Sequence, residues 1–129
     1  MSKRQHKYRA VPTHCDGIRF HSKKEAQRYG ELKLLEKAGH IRNLRLQPAF
    51  DLYAMRQLDT HGEQQYAQER LGLYRGDFAY EACYYVTHEG RRKELWREVV
   101  EDVKGFKTPL YRWKKKHVEA QYGIEIREV

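Results

Sequence analysis

The run Val99-Val100-Glu101-Asp102-Val103-Lys104-Gly105 constrains the fold of this chain more than any other segment. Its valines predict a buried β-strand, and its charged residues come where that strand ends. Because side chains alternate along a strand, we expect Asp102 and Lys104 on one face and Val99 and Val103 on the other. A carboxylate beside an ammonium group suits a metal-and-lysine site that hydrolyses phosphodiesters, although a triplet this short is more often a solvated surface pair.

A second acid, Asp77, lies in another apolar and aromatic stretch, for which we predict a strand over Leu71–Tyr80. The segment Glu81–Glu98 has the length and charge of a hairpin, with a strand at Cys83–Thr87 and a turn after it. Adjacent strands would bring Asp77 close to Asp102. Two carboxylates held together raise each other's pKa unless a cation lies between them, and all-oxygen ligands favour Mg²⁺ or Mn²⁺.

Composition predicts one domain with a polyanionic partner. The chain has 129 residues, 26 Lys and Arg against 18 Asp and Glu, and a formal net charge of +8. Nucleic acid is the expected partner. We divide the chain into a basic flexible tail at 1–9 and a single domain at 10–129. No apolar run could span a bilayer and the start lacks a signal peptide, so we expect a cytoplasmic protein with no membrane partner. Cys15 and Cys83 are expected to be free thiols.

The first predicted helix begins at Ser22 and ends at Gly39. Ser22 and Glu25 have the spacing of a capping box, and an apolar stripe follows them. Glu25 falls within the core-facing arc of the helix, so it is either a cap or an acid of the metal site. Glu36 lies near the same arc and is the alternative helix acid.

Segments outside the two predicted helices also carry local signals. Before the first helix, Asp16-Gly17 predicts a hairpin turn, and after that helix Ile41–Tyr53 predicts an edge strand interrupted at Pro48. Arg56–Arg70 is rich in glutamine and predicts a mobile surface loop.

The second predicted helix is strongly basic. Thr108 caps it, Pro109 takes its first position, Gly123 ends it, and a last strand follows. Its cations come directly after the Asp102 strand. They would either contact phosphates or form a solvated basic face, and the sequence leaves both interpretations open. Together with the first turn of the first helix, they give the expected nucleic-acid-binding set of Lys23, Lys24, Lys107, Arg112, Lys114, Lys115 and Lys116.

This order of elements resembles the PD-(D/E)XK nuclease superfamily, which includes Holliday-junction resolvases. The resemblance implies an α/β (α+β) fold in which a mixed β-sheet is flanked by helices in the order αβββαβ. It also implies that Glu25, Asp77, Asp102 and Lys104 are catalytic, and that the first three of them and the Val103 carbonyl collect Mg²⁺.

Several short segments of the sequence resemble, more specifically, the small phage- and prophage-encoded family DUF1064. They are Phe20-His21-Ser22-Lys23-Lys24-Glu25-Ala26, Gln47-Pro48, Gly76-Asp77-Phe78-Ala79-Tyr80, Val100-Glu101-Asp102-Val103-Lys104-Gly105 and Tyr122-Gly123-Ile124. The chain departs from the superfamily pattern twice: Gly76 stands in place of proline, and Asp102 in place of glutamate. The second departure leaves open whether Glu101 assists.

These predictions lead to one hypothesis about function and to its alternatives. We expect a metal-dependent DNA endonuclease that acts on branched or structured DNA in phage replication or recombination. The alternatives are a catalytically inactive nucleic-acid-binding module of the same fold and a nuclease that acts on RNA. Because a two-fold symmetric DNA branch suits a symmetric enzyme, a homodimer is also expected.

Overall fold

A computed structural model describes residues 12–103 and 106–129, so the tail expected at 1–9 and Lys104 lie outside the described residues. The described chain runs through eight strands and two helices. These are β1 Thr13–Cys15, β2 Ile18–Phe20, α1 Lys23–Lys37, β3 Ile41–Leu46, β4 Ala49–Thr60, β5 Glu63–Arg75, β6 Phe78–His88, β7 Arg91–Asp102, α2 Pro109–Tyr122 and β8 Glu125–Glu128. None of the described helices is long and apolar enough to cross a bilayer.

A four-stranded mixed sheet forms the centre, in the order β3-β6-β7-β8. β6 pairs antiparallel with β3 and with β7, whereas β8 lies parallel to β7. The parallel pairing needs a crossover, and α2 provides it. The expected α+β fold with a mixed sheet and flanking helices is therefore confirmed.

Helix α1 and the β1–β2 hairpin cover one face of this sheet. The Ser22 side chain accepts a hydrogen bond from the Glu25 N–H, as the capping box predicts. The hairpin turns at Asp16 and Gly17, both with positive φ. The core beneath this layer is formed mainly by Phe20, Tyr29, Leu32, Ile41, Phe78, Tyr80 and Val99.

Helix α2 and the base of the β4–β5 hairpin cover the other face. Thr108 caps α2 and Gly123 ends it in a left-handed conformation, as predicted. The second core contains Leu52, Tyr74, Ala79, Val100, Tyr111, Val118 and Ile126. Val99 and Val100 thus pack on opposite sides of one strand, and the last four residues of β7 are all buried.

Two sequence-based predictions were wrong. The segment Arg56–Arg70, expected to be a loop, lies in a long antiparallel hairpin in which β4 pairs with β5 from Ala49 to Thr60. Its distal part is exposed, so neither strand carries the apolar alternation that normally reveals a strand. The strand expected over Leu71–Tyr80 is two strands, β5 and β6, separated by Gly76 and Asp77.

Candidate metal site

Sheet register brings Asp77 beside the end of β7. Phe78 is paired with Glu101, and the Asp77 N–H donates to the Glu101 carbonyl at 2.9 Å. The Asp77 carboxylate accepts a second hydrogen bond, of 2.6 Å, from the Val103 N–H. Asp77 is therefore hydrogen-bonded to the main chain of the residues before and after Asp102. This confirms that Asp77 lies close to Asp102, as the predicted hairpin implied.

This turn requires a glycine at position 76, because the surrounding residues leave no room for a side chain there. A Cβ there would lie 2.8 Å from Val100 Cγ1 and 3.3 Å from Pro48 Cγ. Its N–H also donates to the Pro48 carbonyl at 2.9 Å. Proline could not make that bond, so the departure from the superfamily pattern at this position has a direct structural reason.

Asp102 lies on the α2 side of the sheet and is only 2% exposed. Its Oδ2 accepts a hydrogen bond of 2.7 Å from the Tyr74 hydroxyl. Burial and the Asp102 carboxylate raise the pKa of Tyr74, so this hydroxyl stays protonated and remains a donor. The Asp102 side chain is therefore fixed by β5, while its main chain is fixed by the Asp77 turn.

The two aspartates share a strongly perturbed environment. Burial raises the pKa of Asp77 to about 7; the Val103 N–H opposes this rise, and the charges of Asp102 and Glu25 add to it. A hydrogen bond between the two aspartate side chains acts in the same direction. The site thus resists holding all its carboxyl groups ionised at once, which is the condition that a bound cation relieves.

Glu25 approaches the pair from α1. It is 6% exposed, and burial raises the pKa of its carboxyl group, an effect opposed by His21 and increased by Asp102. Glu25 and Asp77 line the same cavity of about 240 Å³, whose other walls come from the whole of β2 and from Leu46 and Gln47. The helix acid expected from the sequence therefore faces the same space as Asp77.

Glu36 does not face this cavity. It accepts a hydrogen bond from the Leu44 N–H at 3.2 Å and pairs with Lys33 at 3.1 Å, and Lys33 lowers the pKa of its carboxyl group. It lies eleven residues from Glu25 on α1, or roughly 16 Å along the helix. Of the two helix acids, Glu25 is the one that the fold places by Asp77.

Glu101 makes different contacts from Asp102. It is fully buried on the α1 side, where Arg28 binds both of its carboxylate oxygens at 2.7 Å and the Tyr80 hydroxyl also donates to it. This ion pair fastens α1 to β7 and engages Glu101 away from Asp102. Sequence reasoning missed it, although Arg28 lies one helical turn after Glu25 and Glu101 shares the strand face of Val99.

The expected phosphate-binding cations divide into two groups. Lys107 and Lys115 form ion pairs with Glu128, and Lys114 donates to the Leu73 carbonyl at 2.9 Å. These ion pairs depend on the tertiary fold, because the parallel strand β8 places Glu128 beside Lys107 and Lys115. The remaining members of the set are exposed at the surface and are Lys23, Lys24, Arg112 and Lys116.

The donor chemistry of the site fits a hard divalent cation. Within 12–103 and 106–129 there is no group of three or more His, Cys, Asp or Glu side chains that could hold a metal ion by itself. Mg²⁺, however, is usually held by one or two carboxylates with water and substrate phosphate completing its coordination. Asp77 and Asp102 supply such a pair, and the predicted catalytic Lys104 lies outside the described residues.

Comparison with known proteins identifies the family alone. The family described as "Protein of unknown function (DUF1064)" matches residues 5–128, so the chain belongs to it, as its motifs indicated. No curated protein and no solved structure matches the chain.

Proposed function

We propose that this member of the DUF1064 family is a divalent-metal-dependent endonuclease acting on DNA. One observation carries the proposal: Asp77, in the turn between β5 and β6, lies beside Asp102 at the end of β7, and the pKa of Asp77 is raised to about 7. Ionisable groups perturbed this strongly are concentrated at functional sites. The surplus of positive charge supplies the attraction to a polyanionic substrate.

Each acid has its own role in this proposal. Asp77 and Asp102 would hold Mg²⁺ or Mn²⁺ with the Val103 carbonyl, and Glu25 would bind directly or through a water molecule in the shared cavity. When bound, the cation would stabilise charge on the scissile phosphate and lower the pKa of the attacking water. The Tyr74 hydroxyl holds Asp102 in place, and Lys104, from the superfamily pattern, would orient the water or stabilise developing charge.

The exposed cations would hold the substrate by its backbone. Lys23 and Lys24 lie on the first turn of the helix that carries Glu25, so they are near the acids while remaining open to solvent. Contacts of this kind neutralise phosphates without reading bases, so affinity should fall steeply with salt. Branched or structured DNA, a homodimeric enzyme and a cytoplasmic, phage-related role are the finer parts of the proposal, and they rest on the resemblance to the superfamily.

The test compares cutting with binding on one set of substrates. Junction, flap and linear DNA, with single-stranded RNA as a further substrate, are incubated with the wild-type protein in Mg²⁺, in Mn²⁺ and in EDTA. We expect metal-dependent cutting of DNA, strongest on the branched substrates, and retarded but uncut DNA in EDTA. DNA that is bound but never cut would instead establish a catalytically inactive binding module.

A further inference from the structure

We propose that one face of the β6–β7 hairpin, beyond the central sheet, binds the phosphate backbone of duplex DNA away from the cut site. This face, called here the basic ribbon face, consists of Tyr84, Val86, Arg91, Lys93, Leu95 and Arg97. The inference rests on the proposed function for its choice of DNA as ligand, and it adds a binding surface that is separate from the acids and from α2.

The hairpin extends beyond its neighbours on both sides. β3 pairs with β6 only as far as Ala82, and β8 pairs with β7 only from Val99 to Asp102. Beyond Ala82 on β6 and before Val99 on β7, the two strands pair only with each other, up to the turn at Glu89 and Gly90. The distal half of β6–β7 is therefore a two-stranded ribbon, a shape that the major groove of B-DNA admits.

Register assigns the side chains of the ribbon to its two faces. Tyr84 is paired with Leu95, and Val86 with Lys93, so these residues share the face that begins with the α1-side core residue Val99. Arg91 and Arg97 share this face by the same alternation. Between Cys83 and Arg97 the paired strands contain one acidic residue, Glu94, and it lies on the other face.

The opposite face shows the contrast. Glu94 lies there beside Arg92, whose guanidinium stacks 3.7 Å from the centre of the Tyr85 ring. Towards the sheet the same side continues with the ion pairs Arg42–Glu81 and Arg45–Glu98. Positive and negative charges are thus matched on that side, whereas the basic ribbon face carries cations alone.

The basic ribbon face is also exposed. Tyr84 and Val86 are 38% and 41% exposed, and Arg91, Lys93 and Arg97 are open to solvent. The Arg97 guanidinium lies 5.8 Å from the centre of the Tyr84 ring, which holds this cation on its face. Apolar side chains between cations can contact sugars and base edges while the cations neutralise phosphates.

The position of the ribbon predicts a length effect. Asp102 lies nine positions after Lys93 on the same strand. At about 3.3 Å per residue this is roughly 30 Å, the length of about nine base pairs of duplex. A duplex that ends within a few base pairs of the acids would not reach Lys93, and a longer one would.

The experiment compares two triple variants of equal charge. The first is Arg91→Gln with Lys93→Gln and Arg97→Gln, and the control is Lys33→Gln with Arg56→Gln and Arg92→Gln. The control residues also lie at the surface but off the basic ribbon face. Binding to a short duplex, a hairpin stem of about 4 base pairs, and to a long duplex of about 30 base pairs is measured over a salt series in EDTA, with circular dichroism to check folding.

We expect the ribbon-face variant to lower the salt dependence on the long duplex by about two to three log units per log unit of salt. It should also bind the long duplex at least about tenfold more weakly than the control variant, and the short duplex equally well. Equal behaviour of the two variants on the long duplex would overturn the inference. In a parallel reaction with Mg²⁺, metal-dependent cutting of DNA by both variants would still support the proposed function, whereas ribbon-dependent binding without cutting by wild type would refute the nuclease alone.

Discussion

The Asp77 carboxylate accepts a 2.6 Å hydrogen bond from the main-chain N–H of Val103, the residue that directly follows Asp102. This bond joins the turn between β5 and β6 to the end of β7, so Asp77 and Asp102 hold each other's segments in place. The proposed metal site would therefore owe its geometry to the register of the sheet.

Removing either aspartate should abolish cutting without unfolding the protein. We expect Asp77→Asn and Asp102→Asn to reduce metal-dependent cleavage by about a hundredfold or more, because each removes a charged oxygen ligand. DNA binding should be kept or become tighter, since a negative charge facing phosphate is lost. Asp51→Asn, which disturbs only the exposed pair with Arg70, is the control and should cut normally.

Stability of the metal-free protein should fall as pH rises from about 4 to about 7. In this range Asp77 is ionised in the unfolded chain but still protonated in the folded state, because burial raises its pKa to about 7. The folded state binds more protons, so the free energy of unfolding decreases with pH and levels off above 7. Urea unfolding in EDTA at several pH values measures it.

Asp77→Asn should remove that part of the pH dependence and make the metal-free protein more stable at pH 8, by about 1 kcal/mol or more. Added Mg²⁺ should stabilise wild type most at high pH, where no proton competes for the site. A variant whose stability follows pH as wild type does would show that another group is responsible.

Breaking the Arg28–Glu101 pair should be costly. Arg28→Met leaves the fully buried Glu101 carboxylate without its bidentate partner, and we expect a loss of about 3–5 kcal/mol in the free energy of unfolding. The exposed pair Arg42–Glu81 provides the control, and Arg42→Met should cost less than about 1 kcal/mol. Adding Glu101→Gln to Arg28→Met should recover much of the loss, which a purely steric effect of the Met side chain would not allow.

Gly76 and Gly72 should respond oppositely to alanine. Gly76→Ala places a Cβ 2.8 Å from Val100 Cγ1, so we expect it to destabilise the fold by about 1–3 kcal/mol. It should also impair cutting because Asp77 is the next residue. Gly72→Ala meets nothing within 4 Å in a strand and should be neutral or slightly stabilising. Equal unfolding midpoints for the two variants would contradict the steric account.

The elements with strong local signals could be predicted from the sequence. Caps at Ser22 and Thr108, turns at Asp16-Gly17 and after His88, and the alternation before Asp102 act through neighbouring residues alone. The β4–β5 hairpin could not, because its distal strands contact mainly each other and are solvated on both faces. A ladder of backbone hydrogen bonds leaves no pattern in side-chain polarity.

The candidate site shows the same division. The closeness of Asp77 and Asp102 followed from the hairpin between them. The different contacts of Glu101 and Asp102 could not be predicted, because they depend on Arg28 from α1 and Tyr74 from β5. Only the tertiary fold brings these two residues to β7. For the same reason the pairing of Lys107 and Lys115 with Glu128 could not be read from the composition of α2.

The most direct test of the account is the anomalous scattering of Mn²⁺ in crystals grown near pH 8, where Asp77 is mostly ionised. We predict one strong peak in contact with carboxylate oxygens of both Asp77 and Asp102, close to Glu25, and its loss in crystals of Asp102→Asn. A map of the wild-type protein with no Mn²⁺ between the two aspartates at millimolar metal would contradict the metal site, and with it the proposed nuclease.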